Sequence, residues 1–150
     1  MTGFGIRIAR PEMMALANLL HHPAIGPETM SGLIRERRIK RSNKDLGRVL
    51  EIAYLAERAD ENALQTWPIR WQKALQATFP ERWRVLARSA DSGLVELLRP
   101  ENYEDLDEAH YTCVNGLLVG LKPDLDTLRV TGERLLQDAL RPLAKLADSA

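Results

Sequence analysis

Residues 42–56 read SNKDLGRVLEIAYLA, and this stretch decides the fold. Its apolar residues recur at steps of three and four, the spacing that places side chains on one face of an α-helix; they are Leu46, Val49, Leu50, Ala53 and Ala56. Ser42 and Asp45 have the spacing of a capping box, in which side chains satisfy free N–H groups at a helix start. The stretch therefore predicts one buried helix over residues 43–58, capped by Ser42 or Asn43.

Upstream of this helix, the sequence predicts one strand and two more helices. Residues 4–8 alternate apolar with other side chains, which indicates a short N-terminal strand. Pro11 and Glu12 favour the start of a helix. That helix should stop at Pro23, since proline cannot continue it, and PAIGP at residues 23–27 should be a loop. A second helical pattern covers residues 28–40.

Downstream, helical spacing returns in several short segments. One helix should begin near Trp67 and another at Pro80, where a proline can occupy the first helical position. Asn102 is placed to cap a helix through Leu118, and a final helix should continue past residue 140, where Pro142 is expected to kink it. Because of their spacing and apolar neighbours, three tryptophans are expected in the core: Trp67, Trp71 and Trp83.

The composition indicates one globular domain over residues 1–150, with 45% hydrophobic and 28% charged residues. No apolar run approaches the length of roughly 20 residues that crosses a membrane. The single cysteine, Cys113, excludes an internal disulfide and fits a reducing cytoplasm. Short loops favour antiparallel neighbours, so the prediction is a mainly α fold, an antiparallel bundle of about six helices with one short N-terminal strand. A lone strand needs pairing, which predicts a protein partner or self-association through it.

Charge is unevenly distributed along the chain, although 21 basic and 21 acidic residues balance overall. Residues 1–58 carry 10 basic and 6 acidic side chains, whereas residues 59–150 carry 11 and 15. Residues 35–48, RERRIKRSNKDLGR, contain most of the basic excess, and an acidic run, ENYEDLDE, follows at 101–108. Because arginine and lysine clamp phosphates, the candidate nucleic-acid or phosphate ligands are Arg35, Arg37, Arg38, Lys40 and Arg41.

Other sites of catalysis are not indicated. His110 and Cys113 are three residues apart, but a structural zinc site needs four ligands and no further cysteine exists, so Cys113 is expected in the core and no metal is predicted. The adjacent His21 and His22 point about 100° apart on a helix and cannot bind one ion together. Nucleophile elbows and glycine-rich phosphate loops are absent.

The order of elements over residues 3–56 resembles the second half of the nucleotidyltransferase fold of abortive-infection toxins. GFGIRIARPEMMALANLL combines a predicted strand with a Pro-Glu helix start, and KDLGRVLEIAYLA follows the basic run. The family's motif is matched at Glu12, Lys44 and Asp45. The resemblance implies a larger protein that transfers a nucleotide from a nucleoside triphosphate with magnesium, and these three residues as its candidate catalytic groups.

Departures from the family pattern imply that this chain alone does not catalyse the transfer. The family's magnesium-binding carboxylates precede this region on a strand and a Gly-Ser turn, which residues 1–10 do not contain. The lysine expected after the Pro-Glu pair is Ala17 here, and the second acid expected after Lys-Asp is Arg48. Without a metal site, phosphoryl transfer loses its main charge stabilisation.

Three functions follow from these observations. The preferred one is a helical accessory or substrate-binding domain of nucleotidyltransferase type, needing no cofactor of its own. The second is a helix-turn-helix protein that uses residues 35–48, for which we expect weak, sequence-independent binding of nucleic acid at most. The third is an interaction domain, as in toxin–antitoxin pairs, whose oppositely charged halves support association.

Overall fold

The computed structural model describes residues 10–25, 29–34, 37–116, 118 and 120–149, with side chains placed for residues 10–20 and, within those ranges, from residue 39 onward. The described chain is mainly α, as predicted. Its elements are α1 (Pro11–Ile25), β1 (Thr29–Ile34), β2 (Arg37–Lys40), α2 (Arg41–Ala59), α3 (Trp67–Thr78), α4 (Trp83–Ser89), α5 (Ser92–Leu97), α6 (Tyr103–Val114), α7 (Leu125–Leu135) and α8 (Arg141–Ser149). No helix in these ranges is long and apolar enough to cross a membrane.

The helix predicted over residues 43–58 is confirmed as α2, the central element of the fold. It packs against α1, α6 and α7. The apolar face predicted from the sequence is buried, with Leu46 2% exposed and Val49, Leu50 and Ala53 fully enclosed. Glu51 and Ile52, outside that face, are 3% and 7% exposed, so this part of α2 is enclosed around most of its circumference. Contact on several sides makes α2 the helix on which the other elements are positioned.

The start of α2 differs from the prediction. The helix begins at Arg41, its N-cap residue is Lys40, and no side chain caps it from that position. Ser42 and Asn43 lie inside the first turn and are buried, so the predicted capping box does not form. Carboxylates from α6 accept from this helix start instead, so the expected local cap is replaced by a tertiary one.

The helix predicted over residues 28–40 is wrong for the described part of that segment, because Thr29–Ile34 and Arg37–Lys40 pair as antiparallel strands. Thr29 lies opposite Lys40 and Ile34 opposite Arg37. Gly32 disfavours a helix, while the β-branched Ile39 favours a strand and is fully buried. The strand predicted at residues 4–8 lies outside the described residues.

Two predicted helix ends were also wrong. α1 continues through Pro23 to Ile25, so residues 23–25 are helical rather than a loop; a proline in a last turn removes only one N–H, and its cost is small where the helix ends anyway. α6 ends at Val114, before the predicted Leu118, where Asn115 and Gly116 form a turn. Asn102 does not cap α6 through its side chain.

The tryptophans and the final helix agree with the predictions. Trp67, Trp71 and Trp83 are 2%, 0% and 5% exposed, which places all three in the core. α7 and α8 form one continuous helical run joined by a π-helical turn at Leu136–Leu140. Pro142 is the second residue after this turn, so the irregularity predicted there takes the form of a widened turn rather than a break.

Candidate ligand-binding site

A cavity of about 230 Å³ lies at the N-terminal end of α2, where α5 and α6 approach it. Its walls combine the start of α2 with the end of α5 and the start of α6. Both signs of charge line it, together with amide and hydroxyl groups. The lining residues are Lys40, Ser42, Asn43, Leu46, Gly93, Glu96, Leu97, Asn102 and Asp105.

Two carboxylates of α6 hold the start of α2. Asp105 Oδ1 accepts from Lys40 Nζ at 3.2 Å and from Asn43 Nδ2 at 2.9 Å. Glu108 Oε1 accepts from the Lys40 backbone N–H at 3.2 Å and from Asn43 Nδ2 at 2.9 Å. Negative charge at a helix N-terminus is favourable, so Asp105 and Glu108 of the acidic run 101–108 supply the charges that complement α2.

Ser42 supplies the side-chain hydroxyl of this cavity. It is 3% exposed and lines the cavity. A hydroxyl can both donate and accept hydrogen bonds. The backbone N–H groups of the first turn have no acceptor within a helix. The cavity thus offers donors next to its carboxylates.

The opposite wall is held together by α5 and the turn that follows it. Asn102 Nδ2 donates to the Glu96 carbonyl oxygen at 2.7 Å and to Glu96 Oε1 at 3.3 Å. Glu96 Oε2 also lies 3.2 Å from Arg99 Nε. Glu96 therefore places a carboxylate at the rim, while Leu46 and Leu97 form buried apolar surface below.

The predicted phosphate ligands do not form one cluster in the described structure. Lys40 lines the cavity, but its ammonium is paired with Asp105. Arg41 is exposed on the first turn of α2. Arg37 and Arg38 belong to β2, opposite Ile34 and Leu33. Arg35 lies outside the described residues.

The three residues matched by the resemblance are also separated. Glu12 is 3% exposed, and its Oε2 lies 3.4 Å from Arg70 Nη1 of α3. Lys44 and Asp45 are partly buried on α2, and Asp45 Oδ2 is a buried atom that has no partner among the described residues. No hydrogen bond or ion pair between described residues joins Glu12 to either of them. Nor does any cluster of acidic, histidine or cysteine side chains in the described ranges suit a metal ion, so these residues do not fit the magnesium site that the family would use.

Cys113 and His110 have structural roles. Cys113 is fully buried, and its Sγ donates to the Gly47 carbonyl oxygen at 3.1 Å. Burial, followed by the nearby charge of Glu51, raises the pKa of this thiol, which keeps it protonated and unreactive. His110 Nε2 lies 2.8 Å from the Pro123 carbonyl oxygen. Neither residue lines the cavity.

The sequence indicates Lys40 as a site residue but not the rest of this cavity. It indicates Asn43 only as a helix cap. Glu96, Asn102 and Asp105 are more than 50 residues from Asn43 along the chain. The available signal was the pairing of a basic run at 35–48 with an acidic run at 101–108. Among protein-family models, curated proteins and solved structures, none matches this chain at a significant level.

Proposed function

We propose that this chain is a helical substrate-binding domain that holds a small zwitterion, such as a free α-amino acid, in the cavity at the start of α2. The observation that carries the proposal is the lining of this cavity, which combines Ser42, 3% exposed, with the carboxylates of Glu96 and Asp105. The Ser42 hydroxyl can donate and accept hydrogen bonds. A ligand in the cavity can bond to it as well as to the charged groups.

The charges around Ser42 determine the chemistry of the ligand. The positive end of the α2 dipole lies beside the cavity and favours a carboxylate there, in addition to Asp105 and Glu108. Asp105, 32% exposed, and Glu96, 62% exposed, can each accept from an ammonium group in addition to their partners in the chain. A molecule that carries both charges a short distance apart satisfies both ends of the cavity.

The size of the cavity limits the ligand. A volume of about 230 Å³ is below the range of roughly 300–1,000 Å³ that is usual for sites of drug-sized ligands. Leu46 and Leu97 provide apolar surface for a short side chain. The cavity therefore suits a molecule of amino-acid size rather than a whole nucleotide.

The test compares L-alanine with two blocked forms, L-alaninamide and N-acetyl-L-alanine, each lacking one charge. We expect the free amino acid to shift the NMR amide signals of residues 41–43, and each blocked form to bind about tenfold more weakly or worse, since each loses a charge-assisted bond. Ser42→Ala should weaken binding, while Ser149→Ala at the exposed end of α8 should not. Equal binding of all three compounds, or no shift with any free amino acid of similar size, would disprove the proposal.

The resemblance extends this proposal to an accessory domain of a larger nucleotidyltransferase, catalytically incomplete alone. The separation of Glu12 from Lys44 and Asp45 supports this. We therefore expect the chain with magnesium and any nucleoside triphosphate to release no pyrophosphate. Metal-dependent release that Asp45→Ala abolishes would contradict it.

The other two functions proposed from the sequence receive less support from these contacts. A helix-turn-helix would need a helix where β1 and β2 pair as strands. Association through oppositely charged halves would have to do without Lys40 and Asp105, which pair within one chain. The site at α2 favours the substrate-binding function.

A further inference from the structure

We propose that a groove between α1 and α3 binds an amphipathic helix of a partner protein, one that carries acidic residues beside its apolar face. The groove has a volume of about 400 Å³ and is separate from the cavity at α2. Side chains of α1 form one wall and those of α3 and the residue after it form the other. Its main lining residues are Met13, Leu16, Leu20, Ala74, Leu75 and Phe79.

The lining is almost wholly apolar. Leu16 and Leu75 form its floor, with 5% and 1% of their surfaces exposed. Phe79 remains 36% exposed at one end, and Thr78 supplies the one side-chain hydroxyl of the lining. A groove of this kind offers burial of apolar surface and few hydrogen bonds, which suits the apolar face of a helix.

The length of the groove also suits a helix. Met13 and Leu20 lie two turns apart on α1, which corresponds to about 10 Å along the helix axis. A partner helix presents apolar anchors at steps of three and four over a similar distance. Two turns of such a helix therefore match the wall that α1 provides.

Charge around the groove selects the partner. Arg10, one turn before Met13 of the lining, and Arg70 of α3 are both exposed. Glu12 is the acidic residue of α1; it is 3% exposed and paired with Arg70. α3 contains no acidic residue. Arg70 and Ala74 are four residues apart, so the basic side chain lies on the same face of α3 as part of the lining. A basic rim with no exposed acid on either helix is complementary to glutamate and aspartate on a partner.

The experiment uses two synthetic helical peptides of about four turns, with identical leucines at helical spacing. One has glutamates flanking the apolar face and the other has lysines. We expect the glutamate peptide to bind the full chain about tenfold more tightly at low salt, and this preference to shrink as salt rises. Equal affinity, preference for the lysine peptide, or no binding of either would disprove the proposal.

Variants locate the binding. Ala17 lines the groove and is exposed, so Ala17→Glu should abolish binding of the glutamate peptide without unfolding the chain. Ala59→Glu, at the exposed end of α2, provides a matched control that should bind normally. Arg10→Glu should reduce the preference for the glutamate peptide. Unchanged binding by Ala17→Glu would place the peptide elsewhere and overturn the assignment.

A basic rim beside apolar residues also attracts anionic lipid, so vesicles of phosphatidylcholine and phosphatidylserine form the last arm. We expect no co-sedimentation, because a concave groove fits a convex helix better than a flat bilayer. Co-sedimentation that Ala17→Glu abolishes would overturn the proposal in favour of a membrane surface. The result is independent of the cavity at α2, which no groove residue lines.

Discussion

The cavity at the start of α2 and the groove between α1 and α3 are both gaps between helices, but their linings are opposite in character. In the cavity, Lys40 and Asn43 bond to Asp105 across two helices. In the groove, Leu16, Leu75 and Phe79 face a gap with almost no polar group to pair. Polar groups are satisfied within the chain and fix each other's positions, whereas apolar surface gains free energy only when something covers it.

This difference implies different selectivity in the two sites. A preorganised polar cavity distinguishes ligands by the charges that they carry, because its donors and acceptors are already oriented. An apolar groove discriminates weakly through its lining, so its selectivity comes from the charges at its rim. The predictions below alter either the helix that supports both sites or the contacts that make them different.

The largest effect should come from the core of α2. Leu50 is fully buried, and Leu50→Ala should cost ~2–5 kcal/mol of unfolding free energy, measured by urea denaturation, because it leaves a cavity. Val85, which is 61% exposed on α4, provides the control; Val85→Ala should change stability by less than about 0.5 kcal/mol. A loss below that value for Leu50→Ala would contradict the position of α2 at the centre.

Removal of Asn43 tests whether the cavity is held together by polar bonds. Its Nδ2 donates to both Asp105 and Glu108, so Asn43→Ala should cost about 1–3 kcal/mol, since two partly buried carboxylates lose a donor. Asn18→Ala is the control, because the Asn18 side chain bonds only locally, to the Met14 carbonyl oxygen. Equal, small losses in both variants would show that the bonds across α2 and α6 are not specific.

Lys40 should contribute less to stability, and little to phosphate binding. The side chains of Lys40 and Asp105 are 44% and 32% exposed, so Lys40→Ala should cost at most about 1 kcal/mol. If both contacted phosphates, removing Arg38 and Lys40 together would reduce the slope of log affinity for a duplex against log salt concentration by about two units. Because Asp105 already pairs with Lys40, we expect about one unit or less, measured by titrating a random duplex at several salt concentrations. Tight, sequence-selective binding at physiological salt would instead favour the helix-turn-helix function.

The smallest effect is expected at the start of α7, which lines neither site. Asp124 caps this helix by accepting from the Thr127 N–H at 2.8 Å, and this bond holds the pKa of Asp124 below its usual value of 3.8. A carboxyl whose pKa is lower in the folded state stabilises the fold above its unfolded pKa, and this contribution is lost as the pH falls through the folded value. Asp124→Asn should keep a cap but flatten the decline of stability in acid. Asp126→Asn, with its exposed pair to Arg129, serves as the comparison.

Local pattern predicted α2 and the buried tryptophans because their apolar spacing and their tertiary surroundings agree. The prediction of a helix over residues 28–40 was wrong because Met30, Leu33 and Ile34 also fit helical steps. Pairing between β1 and β2 stabilises strands there instead. The cavity could not be predicted, since Asn43 and Asp105 are 62 residues apart and their contact depends on how α6 packs on α2. The acidic run is evident in the sequence, but its contact with the start of α2 is not.

The π-helical turn at Leu136–Leu140 has a consequence for insertions and deletions in this chain. Leu135 and Ala147 are both buried, although a regular α-helix would rotate residues twelve positions apart by about 120°. The π-helical turn contains roughly one extra residue, which cancels most of that rotation. The buried faces of α7 and α8 therefore point the same way. Deletion of one residue between 136 and 140, combined with Pro142→Ala, should therefore leave a straight, regular helix with its core face in register. The same deletion within α7 would instead rotate the apolar face of the helix after it toward water.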